Sequence, residues 1–153
     1  MIRLLAMLLA HILLAIPAFA FECLPLSLFE EAGNASHVPI LRLIRPIDPH
    51  PFQLQEGGIP GQAWSAIPHE ILKDANDTLS RRTPIIVWMP GDPAFLPPLH
   101  QGNLVFALLA PFPSTKSFPV FSLSSRGCLP PIRNLSLHPW TEREQQDLAT
   151  LFR

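Results

Sequence analysis

Leu104-Val105-Phe106-Ala107-Leu108-Leu109 is the stretch that decides the fold, because it is apolar at every position. A strand with one solvated face alternates apolar and polar side chains, whereas a strand covered on both faces is continuously apolar. We therefore predict a central strand over Asn103 to Ala110. Pro111 and Pro113 then turn the chain toward a second apolar run, Phe118 to Leu123, which we predict to be its antiparallel partner.

Prolines divide the rest of the chain into short segments. The 153 residues include 19 prolines, yet 48% of the sequence is hydrophobic. Because proline lacks an amide hydrogen and has a fixed φ, long helices are excluded between Pro25 and Pro139. The high hydrophobicity favours burial over disorder. The sequence therefore predicts a folded, mainly β domain built from short strands.

Two more strands are expected on the N-terminal side of the central run, at 38–47 and 84–89. In the first of these, Leu41 and Leu43 face one way and Arg42 faces the other, which is typical of a half-buried strand. Pro39 and Pro46 flank this alternation and cannot donate to a ladder. They predict an edge strand, or a strand limited to its middle.

Two short helices carry recognisable start signals. Ser27-Leu28-Phe29-Glu30 has capping-box spacing, and Gly33 is placed to end that helix in the left-handed conformation. Thr141-Glu142-Arg143-Glu144 repeats the box before apolar residues that share one side, namely Leu148, Leu151 and Phe152. The segment 68–75 is compatible with a helix or a strand, and the glycines of 55–62 indicate a loop.

The N-terminus has the layout of a secretory signal peptide. Arg3 gives a positive start, 4–16 is apolar except for His11, and Ala18-Phe19-Ala20 is a small-x-small cleavage site. We predict a signal peptide over 1–20, cleavage between Ala20 and Phe21, and a single domain over 21–153. The alternative is an uncleaved anchor, for which the apolar stretch is marginal in length.

The charge balance excludes two classes of partner. The sequence has 11 Lys and Arg against 12 Asp and Glu, and cleavage would remove Arg3. A weakly acidic chain without a run of like charges lacks the basic footprint of a nucleic-acid binder. It also lacks a polybasic patch for a membrane surface, and we expect no stable membrane span after cleavage.

Cys23 and Cys128 are the two cysteines of the chain. An exported protein enters a compartment that permits disulfides, and two cysteines allow one intramolecular pair, so we predict a Cys23–Cys128 bond. Free thiols and an intermolecular bond are the alternatives. A lipoprotein cysteine would directly follow the cleavage site, whereas Glu22 precedes Cys23.

Catalytic and metal-binding motifs are missing from the sequence. It has no Gly-x-Ser-x-Gly elbow, no phosphate-binding glycine loop and no Cys-x-x-Cys pair. His69-Glu70 begins like a zinc-protease helix, but Lys73 occupies the position of the second histidine. Asp48 and His50, with His37 upstream, are potential ligands whose flanking prolines favour a surface turn. We therefore predict no catalytic, cofactor-binding or metal-binding residue and no cofactor.

Four other residues have a functional and a structural interpretation. Asp92 follows a buried strand in Met89-Pro90-Gly91-Asp92-Pro93, where the dipeptides favour a tight turn over a functional carboxylate. The tryptophans at 64, 88 and 140 could line a pocket, although large aromatic residues in a small β domain are more often core residues.

The C-terminal half resembles a known family. Gly102-Asn103-Leu104-Val105-Phe106 is similar to the G-x-x-YLVF strand of netrin-like domains and tissue inhibitors of metalloproteinases. In that family a hairpin ends at a disulfide cysteine, and a W…LS…Q…L helix then closes the barrel. Here the hairpin ends at Ser125-Arg126-Gly127-Cys128, and residues of the closing motif follow in order, namely Trp140, Gln145, Gln146 and Leu148.

The resemblance implies a small OB-like antiparallel barrel of five strands with a short C-terminal helix; a β-sandwich is the alternative. In that alignment Val38 to Ile44 would be the first strand, and Cys23 would stand for a leading cysteine linked to Cys128. The family opens with Cys-x-Cys, whereas this chain has Phe21-Glu22-Cys23. Inhibitor activity is therefore not implied.

Three functions are compatible with these patterns. The first is an exported (secreted or periplasmic) non-enzymatic domain that binds an extracytoplasmic protein or envelope partner. The second is an extracytoplasmic hydrolase with dispersed acid and base residues, for which His50, Asp92 and His100 are the candidates. The third is a structural envelope component, which would show a large exposed apolar patch.

Overall fold

The computed structural model describes residues 27–113, 119–124 and 131–153. Within these residues the chain forms short helices α1–α3, strands β1–β7 and one 3-10 turn. Their bounds are α1 Leu28–Asn34, β1 His37–Ile47, α2 His50–Gln55, β2 Gly61–Asp74, β3 Ile85–Pro90, the 3-10 turn Pro93–Phe95, β4 Leu104–Ala107, β5 Leu109–Pro111, β6 Val120–Leu123, β7 Ile132–Asn134 and α3 Glu142–Leu151.

Five strand segments pair around a closed circle in the order β1–β2–β3–β6–β5–β1. All of these pairs are antiparallel except β3–β6, where Val87 lies opposite Phe121 in a parallel ladder. The circle closes where His37 of β1 lies opposite Leu109 of β5. The protein is therefore mainly β, with an OB-like barrel and a short C-terminal helix, as expected. The alternative β-sandwich does not form.

The apolar run that decides the fold forms β4 and β5, which share one register against β1: Phe106 lies opposite Ile40, and Leu109 opposite His37. The ladder is interrupted at Leu108, whose amide donates to the Pro131 carbonyl at 2.8 Å. There the strand exchanges one neighbour, β7, for another, β6. The central strand is confirmed, and so is its antiparallel partner over β6, while Phe118 of the predicted partner lies outside the described residues.

The expected edge position of β1 is wrong, because β1 pairs with β2 on one side and with β4 and β5 on the other. Both prolines lie inside the strand, Pro39 opposite Ile71 and Pro46 opposite Trp64. Register shifts fall directly before Pro39 and between Leu43 and Arg45. Such bulges interrupt a ladder and so tolerate residues that lack an amide donor.

Strand β2 contains the segment 68–75 almost entirely, so the ambiguous stretch is a strand. The predicted loop at 55–62 is shorter than expected, because Gln55 ends α2 and Gly61 begins β2. Gly61 is required by packing: a Cβ there would meet the Trp88 ring and would lie 2.5 Å from the Met89 carbonyl oxygen.

Both predicted capping boxes form. Ser27 Oγ accepts from the Glu30 amide, and the Glu30 carboxylate accepts from the Ser27 amide at 2.7 Å. Thr141 and Glu144 repeat the arrangement at the start of α3. The left-handed ending at Gly33 is wrong, because α1 continues through Asn34 and ends at an extended Ala35.

The barrel wall is buried on both faces, which explains why 104–109 carries no polar side chain. The barrel interior holds alternate residues of the wall, including Leu41, Leu43, Trp64, Val87, Met89, Val105, Ala107 and Phe121. Helices α1 and α3 cover the outer face of β1 and β4, where Val38, Ile40, Phe106 and Leu108 pack with Ala32 and Leu148. Helix α2 covers the outer face of β2, β3 and β6, where Ala63, Ile86, Trp88 and Val120 pack with Phe52 and Phe112.

Several predictions concern residues outside the described ranges. These are the signal peptide over 1–20, the cleavage site at Ala20 and Phe21, and the Cys23–Cys128 bond. In the ranges that are described, no helix is long and apolar enough to cross a membrane.

Candidate functional site

A groove of about 430 Å³ lies between α3 and the outer face of β1 and β2. A volume of this size falls within the range of small-ligand and side-chain pockets. Its lining is mostly apolar and consists of Ile40, Glu70, Leu72, Trp140, Gln145, Leu148, Ala149 and Phe152.

The floor of the groove is the outer surface of the barrel. Ile40 of β1 lies directly opposite Glu70 of β2 in the antiparallel ladder, so both side chains stand on this face. Leu148 is the buried residue of α3, and the helix turn beside it carries the small side chain of Ala149. Because Ala149 does not reach the sheet, the space beside Leu148 remains open.

One wall is the Trp140 ring, which is held from several directions. It contacts Phe106 of β4 edge-on at a centroid distance of 5.1 Å and Phe29 of α1 at 5.6 Å. The Arg133 guanidinium lies 4.4 Å from the centre of the ring, a cation–π geometry. The indole Nε1 is buried and has no hydrogen-bond partner among the described residues. The wall is therefore a fixed aromatic surface.

Arg133 fixes the segment that carries this tryptophan. Both terminal nitrogens of the guanidinium donate to the Glu144 carboxylate, and other donors reach the carbonyls of His138 and Pro139 at 3.0 Å each. Hydrogen bonds from Arg133 and from the Thr141 amide lower the pKa of Glu144 to about 2, against the opposing effect of burial. The ion pair thus joins β7 to the first turn of α3.

The groove can bind but offers little for catalysis. Glu70 is exposed and contributes a carboxylate at the rim, and Gln145 contributes an amide. The other lining residues bury apolar surface, and the described lining contains neither a nucleophile nor a histidine. The arrangement is suited to an apolar group that has a hydrogen-bond donor beside it.

A second polar cluster lies where the barrel closes. His37 is wholly buried, and its Nε2 lies 3.3 Å from Asp74 Oδ1 and 3.0 Å from Thr78 Oγ1. Its Nδ1 lies 3.0 Å from Ser36 Oγ, and the Ser36 hydroxyl donates to the Leu109 carbonyl at 3.2 Å. These contacts connect β1, β2 and β5.

Serine, histidine and aspartate are the residues of a hydrolase triad, but this cluster is arranged as a structural link. The Phe121 ring packs edge-on against His37 at 5.1 Å, and the Ser36 hydroxyl is engaged by a carbonyl. Burial acts to raise the pKa of Asp74, but hydrogen bonds from the amides of Leu79 and Thr78 and the electrostatic interaction with His37 outweigh it and lower that pKa. The carboxylate is thereby kept ionised beside the imidazole.

The hydrolase candidates lie on two connections, His50 after β1 and Asp92 and His100 after β3. No hydrogen bond or ion pair among the described residues joins the side chains of His50, Asp92 and His100. Asp92 accepts from the Ala94 amide at 2.9 Å and caps the 3-10 turn, so its interpretation as a turn residue is confirmed.

The candidate metal ligands Asp48, His50 and His37 do not form one cluster. Asp48 accepts from the His50 amide at 3.1 Å within a turn, whereas His37 faces Asp74. No group of three or more metal-ligating side chains occurs in the part of the chain that the structure describes.

The tryptophans divide between core and groove. Trp64 is a residue of the barrel interior, and Trp88 is wholly buried beneath α2. Trp140 is the tryptophan that lines the groove. Its position directly before the capping box at Thr141 is the sequence signal that could have selected it. The other lining residues, Ile40 and Leu72 among them, carry no local signal, because their role depends on the packing of α3.

No protein-family model and no curated protein matches this chain.

Proposed function

We propose that the protein is an exported, non-enzymatic binding domain, secreted or periplasmic, whose groove beside α3 takes an apolar segment of an extracytoplasmic protein. The observation that carries this proposal is the open groove of about 430 Å³, with its mostly apolar lining and its fixed aromatic wall. When a partner covers apolar surface that a folded domain leaves exposed, the free energy of the system falls, so such surface favours binding. A wall that is already ordered loses little entropy on binding.

The chemistry of the rim narrows the partner. Glu70 stands beside the apolar floor and accepts hydrogen bonds, and Gln145 can donate or accept. The partner that fits is a protein segment whose apolar side chain enters the groove while a neighbouring Lys, Arg or amide donor reaches Glu70. Because Glu70 is exposed, this contact contributes more to orientation than to affinity.

The burial of His37 and the composition of the groove support binding over hydrolysis. His37 is sealed inside the barrel wall, and the Ser36 hydroxyl donates to the Leu109 carbonyl rather than standing free. The groove lining holds Glu70 as its titratable side chain. A general base and a nucleophile within hydrogen-bond reach of each other and of substrate would be needed for the alternative.

Export is proposed from the first twenty residues, whose layout is that of a cleaved signal peptide. N-terminal sequencing of the exported protein should begin at Phe21, and a retained Met1 in the membrane fraction would contradict it. The Cys23–Cys128 bond belongs to the same proposal. Non-reducing peptide mapping tests it, and two free thiols would reject it.

The netrin-like relationship is likewise a proposal. It is supported by the OB-like barrel and by a terminal helix whose Leu148, together with Trp140, packs on the outer face of β4. The segment Ser125 to Cys128, which carries part of the resemblance, lies outside the described residues.

The groove is tested by filling it. Ala149→Trp places a ring in the open space beside Leu148, and Gln146→Trp adds the same ring at an exposed position of α3 that does not line the groove. The mature chain (21–153) of the wild type and of each variant is first shown to have the same midpoint of thermal unfolding. Each protein is then immobilised and exposed to the native extracytoplasmic fraction. We expect a partner retained by wild type and Gln146→Trp to be lost from Ala149→Trp. Equal retention by all three would overturn the groove as the binding site.

A further inference from the structure

Apolar side chains are exposed at the end of the barrel away from the groove. Phe95 is 78% exposed, Leu54 is 66% exposed and Ile59 is 43% exposed. Leu54 and Ile59 belong to the β1–β2 connection, residues 48–60, and Phe95 belongs to the β3–β4 connection, residues 91–103. Single exposed apolar residues are common, but such residues on adjoining connections indicate an interaction surface.

The two connections leave the barrel side by side. Gly61 at the start of β2 pairs with Pro90 at the end of β3, and the Gly91 amide donates to the Pro60 carbonyl at 2.7 Å. Ile59 and Phe95 therefore project from neighbouring chain segments. We call Leu54, Ile59 and Phe95, with the carboxylates of Glu56 and Asp92, the acidic end.

Packing and hydrogen bonds hold in place the helix α2 and the 3-10 turn, which carry Leu54 and Phe95 of the acidic end. The ring of Phe52 in α2 stacks on Trp88 of β3 at 5.8 Å, which holds the helix that carries Leu54. On the other connection, Asp92 caps Ala94 at 2.9 Å, and the Phe95 amide donates to the Asp92 carbonyl at 3.0 Å. Side chains presented on ordered turns lose little backbone entropy when a partner binds.

Charge distinguishes this surface from an ordinary exposed apolar patch. The two connections contain the carboxylates of Asp48, Glu56 and Asp92 and the imidazoles of His50 and His100, and they contain no Lys or Arg. Arg45, on β1, is the cation that precedes the first connection. A partner therefore meets apolar side chains within a negative field, which attracts cationic groups and repels anionic ones.

We infer that the acidic end is a second docking surface, for a protein segment in which apolar side chains are flanked by Lys or Arg. The apolar side chains would cover Leu54, Ile59 and Phe95, and the cations would lie against Glu56 and Asp92. An anionic lipid surface is disfavoured as the occupant because the same carboxylates repel it. This surface is separate from the groove beside α3, and its test does not depend on that groove.

Two synthetic peptides of equal length serve as probes, one alternating leucine with lysine and the other alternating leucine with glutamate. Binding of each labelled peptide to the mature chain (21–153) is measured by fluorescence anisotropy at low salt. Phe95→Ser removes the most exposed apolar group, and Leu137→Ser is the control because Leu137 is 49% exposed in the turn after β7. Asp92→Asn removes a charge and keeps a side chain that caps equally well.

We expect the lysine peptide to bind the wild type. Phe95→Ser should lower the affinity for this peptide about tenfold, as for an aromatic contact at the centre of an interface. Asp92→Asn should weaken it about threefold, an effect that disappears at high salt. Leu137→Ser and the groove variant Ala149→Trp should bind as the wild type does. Equal binding of both peptides, equal losses in Phe95→Ser and Leu137→Ser, failure of the lysine peptide to bind, or Phe95-dependent binding to phosphatidylcholine vesicles in place of the lysine peptide would overturn the inference.

Discussion

The two outer faces of the barrel are each covered by helix, and they are covered differently. Beneath α2, Phe52 stacks on Trp88 and meets the Phe112 ring edge-on, and Trp88 is wholly buried. Beneath α3, Leu148 is the one helix residue that is buried, and a groove of about 430 Å³ remains. The same barrel thus has one sealed face and one open face.

The difference follows from which side chains each helix directs at the wall. α2 has six residues and places Phe52 against the sheet, where its ring packs with those of Trp88 and Phe112. α3 has ten residues but places Ala149 and Gln145 beside the groove. On the open face, Trp140 forms one wall of the groove and leaves the rest of the groove unfilled. The face beneath α2 is therefore filled by packing, whereas the face beneath α3 leaves space for a ligand.

The largest expected effect is at Gly61, on the sealed face. Gly61→Ala should lower the free energy of unfolding by more than about 4 kcal/mol, because the new methyl group meets the Trp88 ring and the Met89 backbone at a tightly packed site. Urea unfolding followed by tryptophan fluorescence measures it. Near-wild-type stability would show that β2 and β3 can separate locally and that the sealed face is softer than its packing indicates.

The second effect tests the ring that seals this face. Phe52→Ala should destabilise the protein by about 3 to 4 kcal/mol through the cavity left above Trp88. Leu54→Ala, in the same helix at a position that is 66% exposed, should change stability by less than about 0.5 kcal/mol. Equal effects of the two changes in denaturant unfolding would mean that α2 does not close the face as described.

The third effect concerns the ion pair that anchors the open face. The pKa of Glu144 lies near 2 in the folded protein, below its usual value of 4.5, so ionised Glu144 stabilises the fold above about pH 4.5. That contribution is lost as the pH falls from 4.5 toward 2. Because the pair is 24% exposed on both sides, screening limits the loss to about 1 to 2 kcal/mol.

Unfolding free energies measured between pH 6 and pH 3 test this pH dependence. Glu144→Gln should be less stable than wild type at pH 6 and should lose part of the acid-dependent slope. Glu142→Gln, two residues away in the first turn of the same helix, should keep the slope. An unchanged slope in Glu144→Gln would show that the Arg133–Glu144 pair does not contribute to stability.

The smallest effect is at Gly33, on the open side. A Cβ at Gly33 would lie 3.6 Å from Leu151 Cδ1, an ordinary contact, and its φ is not left-handed. Gly33→Ala should therefore stabilise the protein by up to about 1 kcal/mol through helix propensity. The contrast between Gly33→Ala and Gly61→Ala is the most direct comparison of the two faces. If both changes destabilised the protein, the proposed difference between the faces would be contradicted.

The strands and helices that the sequence predicted are those with strong local signals. The run 104–109 indicated a strand covered on both faces, and the boxes at Ser27 and Thr141 indicated the helix starts; all of these formed. Strand β1 was predicted to be an edge strand, or a strand limited to its middle, because its prolines were judged as isolated breaks. The structure accommodates them with bulges at Pro39 and after Leu43, which depend on partners distant in the chain.

The groove was less predictable than the fold. Trp140 was a candidate pocket residue, but Leu72 and Phe152 join it only after α3 has packed across β1 and β2. The structural role of His37 was not predicted, because its partner Asp74 is brought to it by the β1–β2 register. Sites assembled from distant strands leave no spacing pattern in the sequence for a motif to detect.

The parallel pairing of β3 with β6 has a consequence for the order of folding. The β1–β2 and β2–β3 hairpins join segments close in the chain, whereas the β3–β6 ladder must bring together strands separated by residues 91–119. Contacts of such long sequence separation form slowly because closure entropy is lost before they are made. Until residues 120–123 have been synthesised and docked, β3 and β5 keep open hydrogen-bonding edges. A chain that ends before β6 is therefore exposed to edge-to-edge association, and the nascent protein passes through the same vulnerable state.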